Sequence, residues 1–195
     1  MWDRLKPGEA FFLTDMELAL LLEAKGISSF QGFPLEHYPK KEEDVLQTIF
    51  SMTEKGLLHA REEEFQTAGE LSACMEILKN AKGILALIPE EKDIPQICCY
   101  PGEDLLTIEA SALRSSTFKL QRISWEELEE KLKESGPRME LEFCRKGGEG
   151  PIWQAILRNR EDGLVREWGE GEEAFSIEIL RKEIWPYGLI SVFRP

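Results

Sequence analysis

The first 80 residues place hydrophobic side chains at helical spacing, interrupted by short turn-rich segments. Residues Thr14–Glu17 (TDME) have the spacing of a capping box, in which a hydroxyl and a carboxylate satisfy free amides at the start of a helix. The leucines that follow predict a helix to about Lys25, where Gly26 ends it. The same spacing predicts a second helix at residues 41–55 and a third at residues 70–82.

The second helix is amphipathic and leads into a short hairpin. Gly56 ends the helix, residues 57–60 are predicted to form a strand, and residues 61–66 (REEEFQ) form the return. A helix that runs into such a hairpin is typical of the winged-helix fold, in which the hairpin is the wing. The apolar face of this helix consists of Val45, Leu46, Ile49, Phe50 and Thr53.

From Gly83 onward the hydrophobic period changes from 3.6 to 2, which indicates strands. Residues 84–88 (ILALI) are continuously apolar and predict a strand that is covered on both faces. Short turns between the predicted strands favour an antiparallel meander. Further strands are predicted at residues 96–100, 104–110, 117–123, 139–144, 152–158 and 164–168.

Two more helices are predicted in this second half of the chain. Residues Ser124–Glu127 form another capping box, and the helix that it opens ends near Gly136. The final segment alternates like a strand at its start. Its later spacing favours a helix after Ser176, which Pro186 ends or kinks.

The whole pattern predicts an α+β fold, with a winged-helix-like helical N-terminal part packed on an antiparallel β-sheet that has flanking helices. We expect two subdomains that share one core, at residues 1–82 and 83–195. The capped helices at residues 13–26 and 123–136 match at several positions. This match is either a trace of two related halves or the common form of any two capped amphipathic helices.

Charge narrows the possible partners of the protein. The 195 residues carry a net charge of −13, from 24 basic and 37 acidic side chains. Such a field repels phosphate, so nucleic acid and anionic lipid are disfavoured. The predicted wing contains three consecutive glutamates, where a DNA-binding wing needs basic residues. DNA binding would require a basic ridge without acidic neighbours across Lys40, Lys41, Lys55 and Arg61.

The sequence lacks the usual motifs for catalysis and metal binding. It contains neither a G-x-S-x-G elbow nor a phosphate-binding loop, and His37 and His59 have no motif partner. The cysteines lack the C-x-x-C spacing of a zinc site, and Cys98 and Cys99 would point to opposite faces of a strand. We therefore expect no enzymatic activity, no metal and no cofactor. The four cysteines are Cys74, Cys98, Cys99 and Cys144.

Large aromatic residues crowd the second half of the chain. Trp153 lies within a predicted strand, which favours a place in the core. Trp185, Tyr187 and Phe193 lie near the end of the chain, after or beside a proline. This position fits burial in the core and an exposed apolar patch equally well. Our prediction is the exposed patch, in which these three residues bind a partner.

Hydropathy indicates a cytoplasmic protein without a membrane-spanning segment. The first 15 residues mix charge, proline and glycine where a signal peptide has an apolar block. The best apolar run of the chain, LALLLEA at residues 18–24, is far too short to cross a bilayer.

The order of these elements resembles the EspG-type chaperones of type VII (ESX) secretion. The resemblance covers residues 10–135 and consists of the capped helix LTDMELALLLEAKG, a loop with GFP, a helix ending in EKGLL, the strand GILALI, and the order LLTIE, FKLQRIS, WEELEEKL. It implies a winged-helix-like front joined to an antiparallel sheet, cytosolic binding of secretion substrates and no catalytic residues.

Our leading hypothesis is therefore a non-catalytic cytoplasmic protein-binding module. It would act as a chaperone or adaptor for an apolar or helical protein partner, such as a secretion substrate. The alternative is a winged-helix transcriptional regulator whose sheet domain senses a ligand.

Overall fold

The protein is built around one large antiparallel β-sheet. The computed structural model describes residues 8–28, 30–61, 64–111, 114, 116–169 and 171–187. Within these residues it contains nine strands in the large sheet, a separate two-stranded hairpin and five α-helices. The predicted α+β class is confirmed, whereas the winged-helix assignment of the front stays a prediction.

The helices and strands follow the order that hydrophobic periodicity predicts, with two additions. Their bounds are β1 Ala10–Thr14, α1 Asp15–Ala24, α2 Glu42–Glu54, β2 Leu58–Arg61, β3 Glu64–Thr67, α3 Gly69–Asn80, β4 Gly83–Pro89, β5 Ile97–Pro101, β6 Leu105–Ala110, β7 Thr117–Ile123, α4 Trp125–Glu134, β8 Arg138–Arg145, β9 Pro151–Arg160, β10 Gly163–Trp168, β11 Gly171–Ala174 and α5 Ile177–Ile184. A 3₁₀ turn, Trp185–Tyr187, follows α5 and contains the proline that ends this helix.

The large sheet consists of two consecutive meanders that meet in its middle. The described strands lie in the order β1-β7-β6-β5-β4-β8-β9-β10-β11, and every pairing between them is antiparallel. Strands β4 to β7 form the first meander, β8 to β11 form the second, and β4 pairs with β8. Each meander is followed by a helix, α4 or α5. The predicted antiparallel meander is thus confirmed.

The two edge strands of this sheet are the additions that the sequence pattern does not predict. Strand β1 runs directly into the cap of α1 and pairs with β7, more than a hundred residues later in the chain. Strand β11 (GEEA) is exposed at every position, so it shows no hydrophobic alternation. Both strands form because their backbones pair with the neighbouring strand, and the hydrophobic pattern of their own residues does not show this pairing.

The sheet separates two hydrophobic cores. Adjacent residues of β5 point to opposite faces: Cys98 packs with helices α1 to α3, and Cys99 packs with α4 and α5. The prediction for this cysteine pair is confirmed. Residues from both predicted subdomains, 1–82 and 83–195, pack together in the first core. The boundary between the two subdomains stays a prediction. An ion pair between Arg122 of β7 and Glu70 of α3, with Nε 2.7 Å from Oε1, also ties the helical front to the sheet.

Gly83 permits the close approach of β4 and β8 at the middle of the sheet. A Cβ atom there would clash with the ring of Phe143 and lie 2.6 Å from the carbonyl oxygen of Cys144. We expect Gly83→Ala to lower the free energy of unfolding by about 2–3 kcal/mol, because neither strand can retreat without breaking the ladder. Urea denaturation measures this loss.

Gly69→Ala is the matched control for this substitution. Gly69 is the first residue of α3, and a Cβ atom there would have no neighbour within 4 Å. Alanine at this position should leave stability unchanged or raise it by about 0.5–1 kcal/mol. Equal effects of the two substitutions would contradict the close approach at Gly83.

The buried thiols predict that the protein loses stability in alkaline solution. Burial raises the pKa of Cys98 from 9.0 to about 12, so this thiol stays neutral in the folded protein while it ionises in the unfolded chain. Its contribution is therefore complete below pH 9 and is lost as the pH rises from 9 towards 12. The loss is about 1.4 kcal/mol per pH unit for each such thiol.

Urea titrations between pH 8 and the alkaline limit of folding measure how steeply the free energy of unfolding falls with pH. Cys98→Ala should show a smaller slope than the natural chain, since one ionising group of the unfolded state is gone. Identical slopes for the two proteins would contradict the assignment.

Candidate functional site

Helix α2 turns part of its apolar face towards solvent. Its buried side chains are Thr48 and Met52, and the Thr48 hydroxyl is satisfied by donating to the Asp44 carbonyl at 2.7 Å. Leu46 and Phe50, four residues apart on one flank, are 60% and 65% exposed. The predicted apolar face of α2 is present, but the rest of the protein covers only part of it.

A groove lies beside this exposed flank of α2. It has a volume of about 530 Å³ and runs between α1, α2 and the β2–β3 hairpin. Leu20 of α1, Ile49 of α2 and Phe65 of β3 lie in its walls, and Phe65 is itself exposed. We call Leu46, Phe50, Phe65 and the groove walls Leu20 and Ile49 the front surface.

A buried carboxylate holds α2 in this orientation. Glu17 completes the predicted capping box of α1: its amide donates to Thr14 Oγ1 at 3.2 Å, and its Oε2 accepts from the Thr14 amide at 2.9 Å. The same carboxylate accepts from the Ser51 hydroxyl and the Lys55 ammonium of the α2 end, each at 2.8 Å. One side chain therefore caps α1 and sets the rotation of α2.

A contact between Asp15, at the start of α1, and His37 holds the loop between α1 and α2. The buried Asp15 carboxylate accepts from the His37 amide at 2.9 Å and lies 2.7 Å from His37 Nδ1. His37, which has no partner in any sequence motif, thus has one in the fold. Beside it, a second cleft of about 620 Å³ is lined by residues that include Leu22, Phe33 and Tyr38.

The predicted aromatic patch at the end of the chain is in part outside the described residues. Trp185 is half-buried at the start of the 3₁₀ turn and, with Glu178, Arg181 and Lys182, borders a shallow depression of about 420 Å³. Tyr187 is half-buried as well, and its ring packs against that of Phe143 in the second core, with centroids 6.4 Å apart. Phe193 lies outside the described residues, and partner binding by these three residues stays a prediction.

Trp153 combines a core contact with a polar one, as a strand tryptophan often does. It is half-buried beside the second core, and its indole nitrogen donates to Glu183 at 3.0 Å. Trp168, by contrast, is 70% exposed near the edge of the sheet, where the Arg166 guanidinium lies 5.4 Å from its ring centroid.

Acidic neighbours interrupt the basic residues near α2. The Lys55 ammonium lies 2.8 Å from Glu17, and Arg61 stands opposite Glu64 in the hairpin register. The Asp44 carboxylate accepts from the backbone amides of Lys40 and Lys41. Each of these four basic residues therefore has an acidic neighbour.

The described part of the chain shows neither a metal-binding cluster nor a membrane-spanning helix. It contains no group of three or more His, Cys, Asp or Glu side chains placed to hold a metal ion. Its helices are all too short or too polar to cross a membrane.

Comparison with known proteins adds no assignment to this geometry. No protein-family model matches the chain, and no curated protein matches it.

The double role of Glu17 predicts a large effect of its removal. We expect Glu17→Ala to lower the free energy of unfolding by about 2–4 kcal/mol, because it removes the cap of α1 and leaves donors of α2 without their acceptor. Thermal or urea unfolding measures the change.

Glu127→Ala is the matched control, since Glu127 occupies the same capping-box position in α4. Its carboxylate accepts from the Ser124 amide at 2.7 Å, but the residue is exposed. We expect a cost of about 1 kcal/mol, which is typical of a cap alone. Equal costs at Glu17 and Glu127 would show that the contact of Glu17 with α2 contributes nothing.

Proposed function

We propose that this protein is a non-catalytic protein-binding module, of the chaperone or adaptor kind, which covers an apolar segment of a partner with its front surface. The observation that carries the proposal is the orientation of α2, which leaves Leu46 and Phe50 in solvent beside a groove whose walls include Leu20, Ile49 and Phe65. Contiguous exposed apolar surface of this kind marks interaction sites in soluble proteins.

The front surface has the properties of a preformed site. Aromatic side chains such as Phe50 and Phe65 supply large contact area and often dominate binding energy. The supporting contacts of Glu17 fix the helix that presents Phe50, so binding requires little ordering of the protein. The geometry therefore favours recognition of a partner by a rigid surface.

The finer parts of the proposal come from the resemblance to EspG-type chaperones. They are a cytoplasmic location and a partner that is a secretion substrate, held by the front surface before export. Trp185, Tyr187 and Phe193 form a second proposed contact with the partner. Half-burial of Trp185 beside an open depression supports its inclusion.

The charges around α2 favour a protein partner over DNA. Only the order of helix and hairpin supports the winged-helix regulator, and the basic residues there have acidic neighbours. An electrostatic DNA binder retards fragments in a salt-dependent manner, so a gel-shift assay at low salt tests this alternative directly. We expect no retardation of DNA fragments by this protein.

Substitution of the exposed flank of α2 tests the proposed function. We expect Leu46→Ala with Phe50→Ala to reduce partner recovery from native lysate at least about tenfold, since hot-spot truncations cost about 1.4–3 kcal/mol of binding energy. Stability should change by only about 0.5 kcal/mol or less, because both side chains are largely exposed.

Gln47→Ala is the matched control, as Gln47 is an exposed polar residue of the same helix. It should recover as much partner as the natural chain. Trp185→Ala with Tyr187→Ala, compared in the same experiment, tests the second contact. Undiminished recovery by the Leu46 and Phe50 double variant, with its fold intact, would contradict the role of the front surface.

A further inference from the structure

We propose that the occupant of the front surface is an amphipathic helix with basic residues along the borders of its apolar face. This inference rests on the proposed function and specifies the chemistry of the partner. It is drawn from the charges that surround the apolar residues, from the shape of the groove and from the charge of the whole chain.

Carboxylates border the apolar flank of α2. The helix sequence EEDVLQTIFSMTE contains four acidic residues and no lysine or arginine. Glu42, Glu43 and Glu54 are exposed, as is Glu64 in the hairpin. An apolar strip with such a border is complementary to a partner that carries lysine or arginine beside its own apolar strip.

Two lysines beside the groove and at the end of α2 already pair with other acidic residues. The Lys55 ammonium lies 2.8 Å from the buried Glu17 carboxylate. The Lys25 ammonium donates to the Ser72 hydroxyl at 3.1 Å and lies 3.5 Å from Glu76. Lys40 and Lys41 precede α2, and the four carboxylates of the helix outnumber them, so the local charge is negative.

The form of the groove favours a helix as the bound element. Two of its walls are the helices α1 and α2, so side chains rather than an open strand edge present most of the contact. Leu46 and Phe50 are one helical turn apart, about 6 Å along the axis. A bound helix offers apolar anchors at the same interval, which is the usual mode of recognition in such grooves.

The net charge disfavours the other occupants of an apolar surface. A second copy of the chain would bring one acidic border against another, in a protein with a net charge of −13. Like charges that face each other across an interface weaken it. Anionic lipid and nucleic acid are repelled by the same border.

Binding of designed peptides tests the inference without knowledge of the natural partner. The probe is a dye-labelled helical peptide of about 18 residues, five turns, with leucine on one face and lysine elsewhere. One matched peptide has glutamate in place of every lysine, and another has the leucines and lysines in scrambled order. Fluorescence anisotropy measures the affinities of the full-length chain for all three.

We expect the lysine peptide to bind at least about tenfold more tightly than either matched peptide. The double variant Leu46→Ala with Phe50→Ala should weaken binding of the lysine peptide about tenfold. The triple variant Glu42→Gln, Glu43→Gln and Glu54→Gln should weaken this binding at low salt. Gln47→Ala should leave it unchanged. These results would support a basic amphipathic helix at the front surface.

Three results would overturn the inference. Equal binding of the scrambled peptide would show attraction by charge alone, and equal binding of the glutamate peptide would exclude a role for the acidic border. Lysine-peptide binding that the Leu46 and Phe50 substitutions leave unchanged would place the peptide elsewhere. The proposed function is contradicted by a different result, namely undiminished recovery of the partner from lysate by the Leu46 and Phe50 double variant.

Discussion

The contact between the buried Glu17 carboxylate and the end of α2 is the interaction on which the front of this protein depends. A buried carboxylate is costly unless several donors satisfy it, and here the Thr14 amide, the Ser51 hydroxyl and the Lys55 ammonium all do so. Because the donors belong to two helices, satisfying the charge also fixes how the helices are rotated. The exposure of Leu46 and Phe50 follows from that rotation.

The large sheet provides the support against which this contact is formed. Its central strands are buried on both faces, so the helical front and the pair α4 and α5 each have their own core. With the first core filled by α1, α3 and the sheet, α2 contributes Met52 and little more to it. A peripheral helix of this kind keeps an apolar flank outside, where it is available to another molecule.

Much of this fold could be predicted from sequence, because capping boxes and a clear change of period mark the helices and most strands. Strand β1 could not, since its pairing depends on the distant strand β7. Strand β11 could not either, because all four of its residues are exposed and show no hydrophobic alternation, although its partner β10 is close in sequence. The apolar positions of α2 were visible at helical spacing, but periodicity shows only that an apolar face exists. Which part of that face stays in solvent depends on Glu17, and the pairing of Asp15 with His37 likewise depends on tertiary contacts.

Solvent accessibility of the Leu46 methyl groups shows whether α2 leaves its apolar flank in solvent. Methyl NMR spectra of the full chain, recorded with a soluble nitroxide, report which side chains the probe can approach. We expect strong broadening for Leu46, comparable to that of the exposed Ile152, and little for the buried Leu18 and Leu71. Leu46 signals that are protected as well as those of Leu18 would show that α2 buries its apolar flank and that the front surface does not exist.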